Sequence, residues 1–162
     1  MDVLYRKLIG SESCIEFSKF DPSDACSAAL HISHELMGDL NHGVSAFIDW
    51  NLLLDEQGGP NYVGNYCLAS FLFDTRKKTL MPHLISQYFE HFSHAVRPGA
   101  VRIASTRYGE DVEVTAWKQP YGMLTGVLIN RTMETRPVCV RLNDQETELL
   151  LPACSISDFS IQ

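Results

Sequence analysis

The sequence is poor in basic residues and has no long apolar run. Its 162 residues include 13 Lys and Arg against 20 Asp and Glu, which gives a formal net charge of −7. A chain without a basic stripe does not complement the phosphate backbone of a nucleic acid. No run approaches the roughly 18 apolar residues that a membrane-spanning helix needs. We therefore expect neither a nucleic-acid partner nor a membrane span.

The N-terminus and the cysteines lack the signs of secretion. Residues 1–7 do not show the charged-then-apolar layout of a signal peptide. The cysteines are odd in number, widely spaced and without a Cys-x-x-Cys motif: Cys14, Cys26, Cys67, Cys139 and Cys154. This pattern is typical of free, mostly buried thiols rather than of a disulfide framework or a zinc site. We expect free thiols and favour a cytoplasmic location.

What the sequence does contain begins with an alternation of strands and helices. A strand is predicted over Val3–Ile9, ended by Gly10, and a helix begins at Asp21-Pro22-Ser23-Asp24 with Asp21 as its cap. Apolar residues then recur at helical spacing as far as Leu40, and Gly43 provides the stop.

A second strand, largely buried, is predicted over Val44–Ile48. A loop rich in Gly, Pro and Asn follows over 55–65, and another helix begins at Pro82. Strand, helix, strand and helix in this order indicate part of a parallel α/β sheet.

The remainder of the chain is predicted to be all-β. Alternating patterns over 101–105, 112–117 and 138–142, with apolar runs over 123–129, 149–151 and 156–159, are separated by turn signals. Short strands at this spacing favour an antiparallel sheet or sandwich. We therefore predict an α/β segment over 1–99 and a β domain over 100–162.

Polar side chains stand at the ends of the first two predicted strands. Glu12 follows the first strand, and Asp49-Trp50-Asn51 follows the second. Neighbouring parallel strands would bring these ends together. A carboxylate beside an indole and amides suits the binding of a sugar, and such a carboxylate can attack an anomeric carbon. The alternative is that Glu12 is an ordinary loop-end acid and Trp50 an aromatic at the edge of the core.

The same segments resemble glycoside hydrolase family 30, the glucosylceramidase-like and β-1,6-glucanase-like enzymes. Residues 8–14 (LIGSESC) resemble the segment that carries the nucleophile. Residues 49–65 (DWNLLLDEQGGPNYVGN) are similar to the last barrel strand and its loop, and residues 88–93 (YFEHFS) to the closing helix. The last sixty or so residues resemble the family's C-terminal β-sandwich.

The resemblance implies both a fold and an activity. The fold is the last two βα units of a (β/α)8 TIM barrel, over 1–99 with the nucleophile loop, followed by an antiparallel β-sandwich over 100–162. The activity is that of a retaining β-glycosidase, which hydrolyses β-linked glucosides such as glucosylceramide or β-glucan by double displacement. No cofactor is implied.

The resemblance also assigns roles to individual residues. Glu12 matches the catalytic nucleophile, and Trp50 matches an aromatic of the sugar subsite. Asn65 matches a polar group at the rim of that subsite. Asp49 and Asn51 match positions that shape the strand end. Tyr62 matches a position at which the glucosylceramidases have Trp, so the residue type differs there while an aromatic ring is kept.

Part of the family's pattern is missing. The general acid of these enzymes lies in an Asn-Glu-Pro context on the fourth strand, and this sequence has no Asn-Glu-Pro. Retaining hydrolysis needs a second carboxyl group about 5–5.5 Å from the nucleophile. Glu16 is the nearest substitute in sequence. The initial strand of the sandwich is missing too.

We therefore expect the C-terminal portion of such an enzyme, incomplete as an isolated chain. It would self-associate or pair with the missing N-terminal barrel portion. The alternative is a non-catalytic glycan-binding or assembly module built on the β-sandwich, with Trp117 and Tyr121 as aromatic candidates. The histidine pairs His31/His34 and His91/His94 lack recognisable further ligands, so no metal site is predicted.

Overall fold

The structure is a computed structural model that describes residues 7–161. The chain divides between Gln87 and Tyr88 into two compact units. This division falls inside a helix, α2 (Leu84–Ala95). The domain boundary predicted at residue 99 stays a prediction.

The first unit is built on a parallel pair of strands joined by a helix. Strand β1 (Leu8–Ser13) leads to helix α1 (Ala25–Asn41) and then to strand β2 (Val44–Asp49). Strands β1 and β2 are parallel neighbours, with Ser13 opposite Asp49 at their carboxyl ends. The predicted parallel strand–helix–strand order is confirmed.

The first strand is longer than predicted at its carboxyl end. Residues 3–6 of the predicted strand lie outside the described residues, and β1 continues past Gly10 to Ser13. At Gly10 a Cβ atom would lie 3.2 Å from a carboxylate oxygen of Asp39 and 3.4 Å from the ring of Phe47. Gly10 therefore lies where α1 and β2 pack closely against β1, and it does not end the strand. Glu12 consequently lies within β1 and not after it.

The cap of α1 also differs from the prediction. The carboxylate of Asp24 accepts a hydrogen bond from the backbone N–H of Ser27 at 2.9 Å, so Asp24 is the N-cap. Asp21 instead accepts hydrogen bonds from the backbone and hydroxyl of Ser23 in the preceding turn. The prediction of Asp21 as the cap was wrong because its carboxylate is used by this local turn.

Strand β2 is less buried than predicted. Its residues are either half-buried or exposed, and Ile48 is 52% exposed. A run of apolar residues on a parallel strand is typical of a sheet covered on both faces. Among the described residues β2 pairs with a single strand, β1, and contacts α1. The prediction of burial was therefore wrong for this strand.

Three short strands of the first unit were not predicted. They are β3 (Leu53–Asp55), β4 (Phe71–Asp74) and β5 (Thr79–Pro82), in the order β3-β4-β5. Strands β3 and β4 are parallel, and β4 and β5 are antiparallel. Strands of three or four residues are too short to show a period in the sequence. Pro82 ends β5 rather than beginning the helix, which starts at Leu84.

Within the described residues, the second unit contains the carboxyl half of α2 and six strands that pair in antiparallel fashion. The antiparallel pairing was predicted from the sequence. A four-stranded sheet has the order β11-β8-β7-β6, and β9 and β10 form a hairpin. The strand bounds are β6 (Val101–Ile103), β7 (Val112–Lys118), β8 (Leu124–Asn130), β9 (Arg136–Leu142), β10 (Gln145–Leu151) and β11 (Ser155–Ile161).

The core of the second unit is centred on β8, which is buried from Thr125 to Asn130. Gly126 on β8 lies directly opposite Phe159 on β11, and a Cβ atom on Gly126 would lie 2.4 Å from the Phe159 ring. Trp117 on β7 is also buried, whereas Tyr121 is exposed. Of the two aromatic residues named as glycan-binding candidates on the β-sandwich, Trp117 is therefore not available at the surface.

Two of the five cysteines are not free. Cys26 and Cys154 are disulfide-bonded, whereas Cys14, Cys67 and Cys139 are free thiols. The expectation of free thiols was wrong for Cys26 and Cys154, because sequence spacing does not reveal which cysteines meet in space.

Candidate active site

The carboxyl ends of β1 and β2 bring four of the predicted site residues to one place. The backbone N–H of Trp50 donates to the carbonyl of Ser13 at 2.8 Å, just beyond the Ser13–Asp49 register pair. Glu12 precedes Ser13 in β1, and Asn51 follows Trp50. The sequence predicted that the strand ends carrying Glu12 and Asp49-Trp50-Asn51 lie side by side. The backbone hydrogen bond between Trp50 and Ser13 joins these two strand ends.

Ser13, the neighbour of Glu12 in β1, links this strand to helix α1. Its hydroxyl is buried and donates to a carboxylate oxygen of Glu35 on α1 at 2.7 Å. Glu12, the residue before Ser13, is exposed. The pairing of β1 with β2 is irregular between Gly10 and Ser13. Sequence reasoning missed Ser13, since its partner lies 22 residues away.

Burial changes the ionisation of the Asp49 carboxyl group at the end of β2. Burial raises its pKa to about 6, and the negative charge of Glu35 adds to this rise. The hydrogen bond from the backbone of Trp50 acts in the opposite direction and lowers the pKa. Asp49 can therefore hold or release a proton in mildly acidic solution.

The aromatic side chains of the site are open to solvent. Trp50 is 60% exposed and Tyr62 is 97% exposed. An exposed aromatic ring offers an apolar face to the solvent. Such a face can pack against the C–H surface of a sugar ring, while nearby polar groups take the hydroxyls.

The loop over 56–66 carries Tyr62 and Asn65 and is shaped by its own hydrogen bonds. The Asp55 carboxylate accepts from the backbone N–H groups of Gln57 and Gly59, each at 2.9 Å. The side chain of Asn61 accepts from the backbone of Gly64 at 2.6 Å. Asp and Asn beside glycines are a usual signal for such turns. Sequence reasoning named the loop without assigning these roles.

The backbone of this loop also requires glycine at position 58. Gly58 has φ +81°, and a Cβ atom there would lie 2.6 Å from the Cys67 carbonyl oxygen. Both the left-handed conformation and the close approach exclude larger residues. Asn65, which this loop presents, is exposed.

Glu16, the nearest substitute for the general acid, is engaged locally. Its carboxylate accepts from the Ser18 hydroxyl at 3.1 Å and pairs with the Lys19 ammonium group at 3.4 Å. Within residues 7–161, no group of three or more His, Cys, Asp or Glu side chains is arranged to hold a metal ion. Across the same described part, neither helix has the length and apolar character needed to cross a membrane.

Comparison with known protein families places both parts of the chain in one family. The "Glycosyl hydrolase family 30 TIM-barrel domain" matches residues 6–96, and the "Glycosyl hydrolase family 30 beta sandwich domain" matches residues 99–158. The chain belongs to glycosyl hydrolase family 30, whose members are glycoside hydrolases. Its fold is a portion of the family's TIM-barrel domain together with the β-sandwich domain.

Individual relatives agree with this assignment. The chain is 28% identical to the lysosomal acid glucosylceramidase of Mus musculus over 137 residues, which is 82% of this chain and 27% of that enzyme. The structure of SrfJ from Salmonella typhimurium superposes with a TM-score of 0.89 at 32% identity, covering 97% of this chain and 35% of SrfJ. The endo-β1,6-glucanase BT3312 gives 0.74 at 26% identity, covering 96% of this chain and 35% of that enzyme. The chain thus spans about a quarter to a third of these relatives.

Proposed function

We propose that this chain is the C-terminal portion of a retaining β-glycosidase that acts on β-linked glucosides, either glucosylceramide-like molecules or β-glucans. In this proposal residues 1–99 supply the last two βα units of a (β/α)8 barrel. The observation that carries the proposal is the backbone contact between Ser13 and Trp50, which sets a carboxylate and an exposed indole at one strand end. The names of the mouse glucosylceramidase and of the β1,6-glucanase support this choice of substrate class.

The proposed reaction is a double displacement at the anomeric carbon. A carboxylate oxygen of Glu12 attacks that carbon, the glycosidic bond breaks, and the leaving oxygen takes a proton from a general acid. Water then attacks the same carbon and breaks the ester bond to Glu12. The exposed position of Glu12 leaves its carboxylate accessible to a substrate.

The sugar is proposed to bind among the remaining strand-end and loop residues. Trp50 and Tyr62 offer aromatic faces, and Asn65 offers an amide at the rim. Asp49 and Asn51 are half-buried and flank Trp50, so they are suited to hold the strand end in shape. Asp49 has the additional property that burial makes its carboxyl group a weaker acid.

The general acid is proposed to come from outside this chain. The local partners of Glu16 support this view, since its carboxylate is paired with Lys19. The chain alone is then expected to lack efficient turnover. It would gain turnover by pairing with the N-terminal barrel portion that carries the acid.

A chimera tests the proposal directly. The N-terminal barrel portion of SrfJ is joined to this chain in place of SrfJ's own corresponding region, and hydrolysis of aryl β-glucosides is measured. We expect the chimera to turn over, and Glu12→Gln to lower kcat by about 10³-fold or more. The matched control is Glu16→Gln, which should leave kcat within a few-fold.

Two outcomes would contradict the proposal. In the first, a folded chimera is active and Glu12→Gln does not change kcat, so the nucleophile lies elsewhere. In the second, residues 1–162 alone hydrolyse the substrate at rates typical of enzymes, so an acid is present within the chain. A 2-fluoro glycoside that forms a covalent ester on Glu12, detected by peptide mass spectrometry, identifies the nucleophile independently.

A further inference from the structure

Two free thiols meet beside the candidate nucleophile strand. The Sγ atoms of Cys14 and Cys67 lie 3.0 Å apart, with the Cys14 thiol donating to the Cys67 sulfur. These residues are 53 positions apart in the sequence. Cys14 comes two residues after Glu12, and Cys67 directly follows the loop over 56–66.

The backbone holds these two segments together on both sides of the thiols. Glu16 and Cys67 form an isolated antiparallel bridge. The backbone N–H of Leu68 donates to Ile15 at 2.8 Å, and that of Phe17 donates to Tyr66 at 2.9 Å. These backbone contacts therefore bring the two cysteine positions together.

The two cysteines differ in how accessible their side chains are to solvent. Cys67 is 2% exposed and packs with Leu54 and Ala69, and Cys14 packs against this cluster while staying half-buried. An oxidant can therefore reach Cys14 first.

Burial raises the pKa of Cys14 to about 12, and the Cys67 thiol and the negative charges of Asp49 and Glu16 add to this rise. The reaction should consequently be slow at neutral pH, since the thiolate is the attacking species.

We propose that Cys14 and Cys67 form a dithiol site that small-molecule disulfides such as oxidised glutathione convert into a cross-link. This inference goes beyond the proposed glycosidase function and does not depend on it. The cross-link would join the end of the candidate nucleophile strand to the loop that carries Tyr62 and Asn65. The reach of that loop away from Glu12 would then be restricted.

The reaction proceeds in two exchange steps. The Cys14 thiolate attacks one sulfur of oxidised glutathione, forms a mixed disulfide and releases one reduced glutathione. The Cys67 thiolate then attacks the Cys14 sulfur and displaces the second glutathione. Cys14 and Cys67 together lose two electrons and two protons, and one oxidised glutathione becomes two reduced molecules.

The test uses the full chain incubated with oxidised glutathione at mildly alkaline pH, followed by peptide mapping. We expect a cross-linked peptide pair containing Cys14 and Cys67, lost again on reduction and separate from any peptide of Cys26 or Cys154. In Cys67→Ser, Cys14 should stop at the mixed disulfide with glutathione. In Cys14→Ser, Cys67 should stay free because it is buried.

The control and the second readout make the test decisive. Cys139→Ser removes the exposed free thiol and should form the Cys14–Cys67 cross-link like the unsubstituted chain. Proteolysis within the loop over 56–66 should slow about tenfold on oxidation in Cys139→Ser and not at all in Cys67→Ser. A folded chain that acquires glutathione only at Cys139, or that accumulates glutathionylated Cys14 without the cross-link, would overturn the proposal.

Discussion

The carboxyl group of Asp49 makes the stability of the first unit depend on pH. Its pKa in the folded chain is about 6, above the usual 3.8, because burial disfavours the charged form. Between these values the folded state binds more protons than the unfolded state, so stability falls as pH rises from about 4 to about 6. Since solvent screens part of this effect, we expect a loss of about 1–2 kcal/mol.

The Asp49→Asn variant checks this prediction, because asparagine resembles the protonated acid. Urea unfolding at the acid and the neutral end of this range should give a smaller pH dependence for the variant than for the unsubstituted chain. Asp24→Asn serves as the control, since an asparagine side chain can also cap α1. If Asp49→Asn and the unsubstituted chain lose the same stability between the two pH values, Asp49 is not the responsible group.

The cap of α1 provides a second prediction for a single residue. Asp24→Ala removes the acceptor for the Ser27 backbone N–H and should cost about 1 kcal/mol of folding stability. Asp21→Ala removes only the turn contacts to Ser23 and should cost less. Chemical denaturation of the two variants side by side measures the difference. A larger loss in Asp21→Ala would return the cap to the position that the sequence pattern favoured.

A partly buried hydrogen bond links β1 to α1. Ser13→Ala removes the donor to Glu35 and leaves that carboxylate without this partner, at an expected cost of about 1–3 kcal/mol. Ser11→Ala is the matched control, because Ser11 is exposed on the same strand. Urea midpoints of the two variants give the comparison. Equal midpoints would mean that the Ser13 contact contributes no net stability to the strand pair.

The strands of the two units should differ in how well their backbone is protected. Strand β8 pairs with β7 on one side and with β11 on the other and is largely buried. Strands β1 and β2 form a pair on their own within the described residues, and several of their side chains are exposed. Paired and buried amides exchange slowly, whereas exposed ones open locally.

Hydrogen exchange measured by mass spectrometry tests this at the scale of the whole molecule. Peptides from β8 should exchange more slowly than peptides from β1 and β2. In the chimera with the SrfJ barrel portion, we expect protection of β1 and β2 to rise by about tenfold or more, while β8 serves as the internal reference. Unchanged protection of β1 and β2 in the chimera would argue against their pairing with that portion.

The sequence predicted several elements that are long enough to show a period. Helix α1 and the seven-residue strands β7 and β9 are examples, since each repeats its pattern several times. Strand β3 has three residues, which cannot repeat anything. The burial of β2 was overestimated because an apolar run does not tell how many layers cover a strand.

The relative position of two site residues could be predicted because it depends only on the direction of the strands that carry them. Glu12 and Trp50 lie at the same end because parallel strands end at the same edge, so their approach followed from the order of elements. The partners that lie far apart in the sequence, Ser13 with Glu35 and Cys14 with Cys67, could not be read from spacing. The roles of Glu12, Asp49, Trp50, Asn51, Tyr62 and Asn65 stay predictions.

The packing of Phe159 against Gly126 limits which residues relatives can have at these two positions. They are opposite each other on β8 and β11, and the Phe159 ring occupies the space that a side chain at position 126 would need. A substitution at either position alone creates an overlap or a void, whereas a joint exchange preserves the filled volume. Sequences of relatives should therefore show covariation, with a smaller residue at the position of Phe159 wherever the glycine has become alanine or serine.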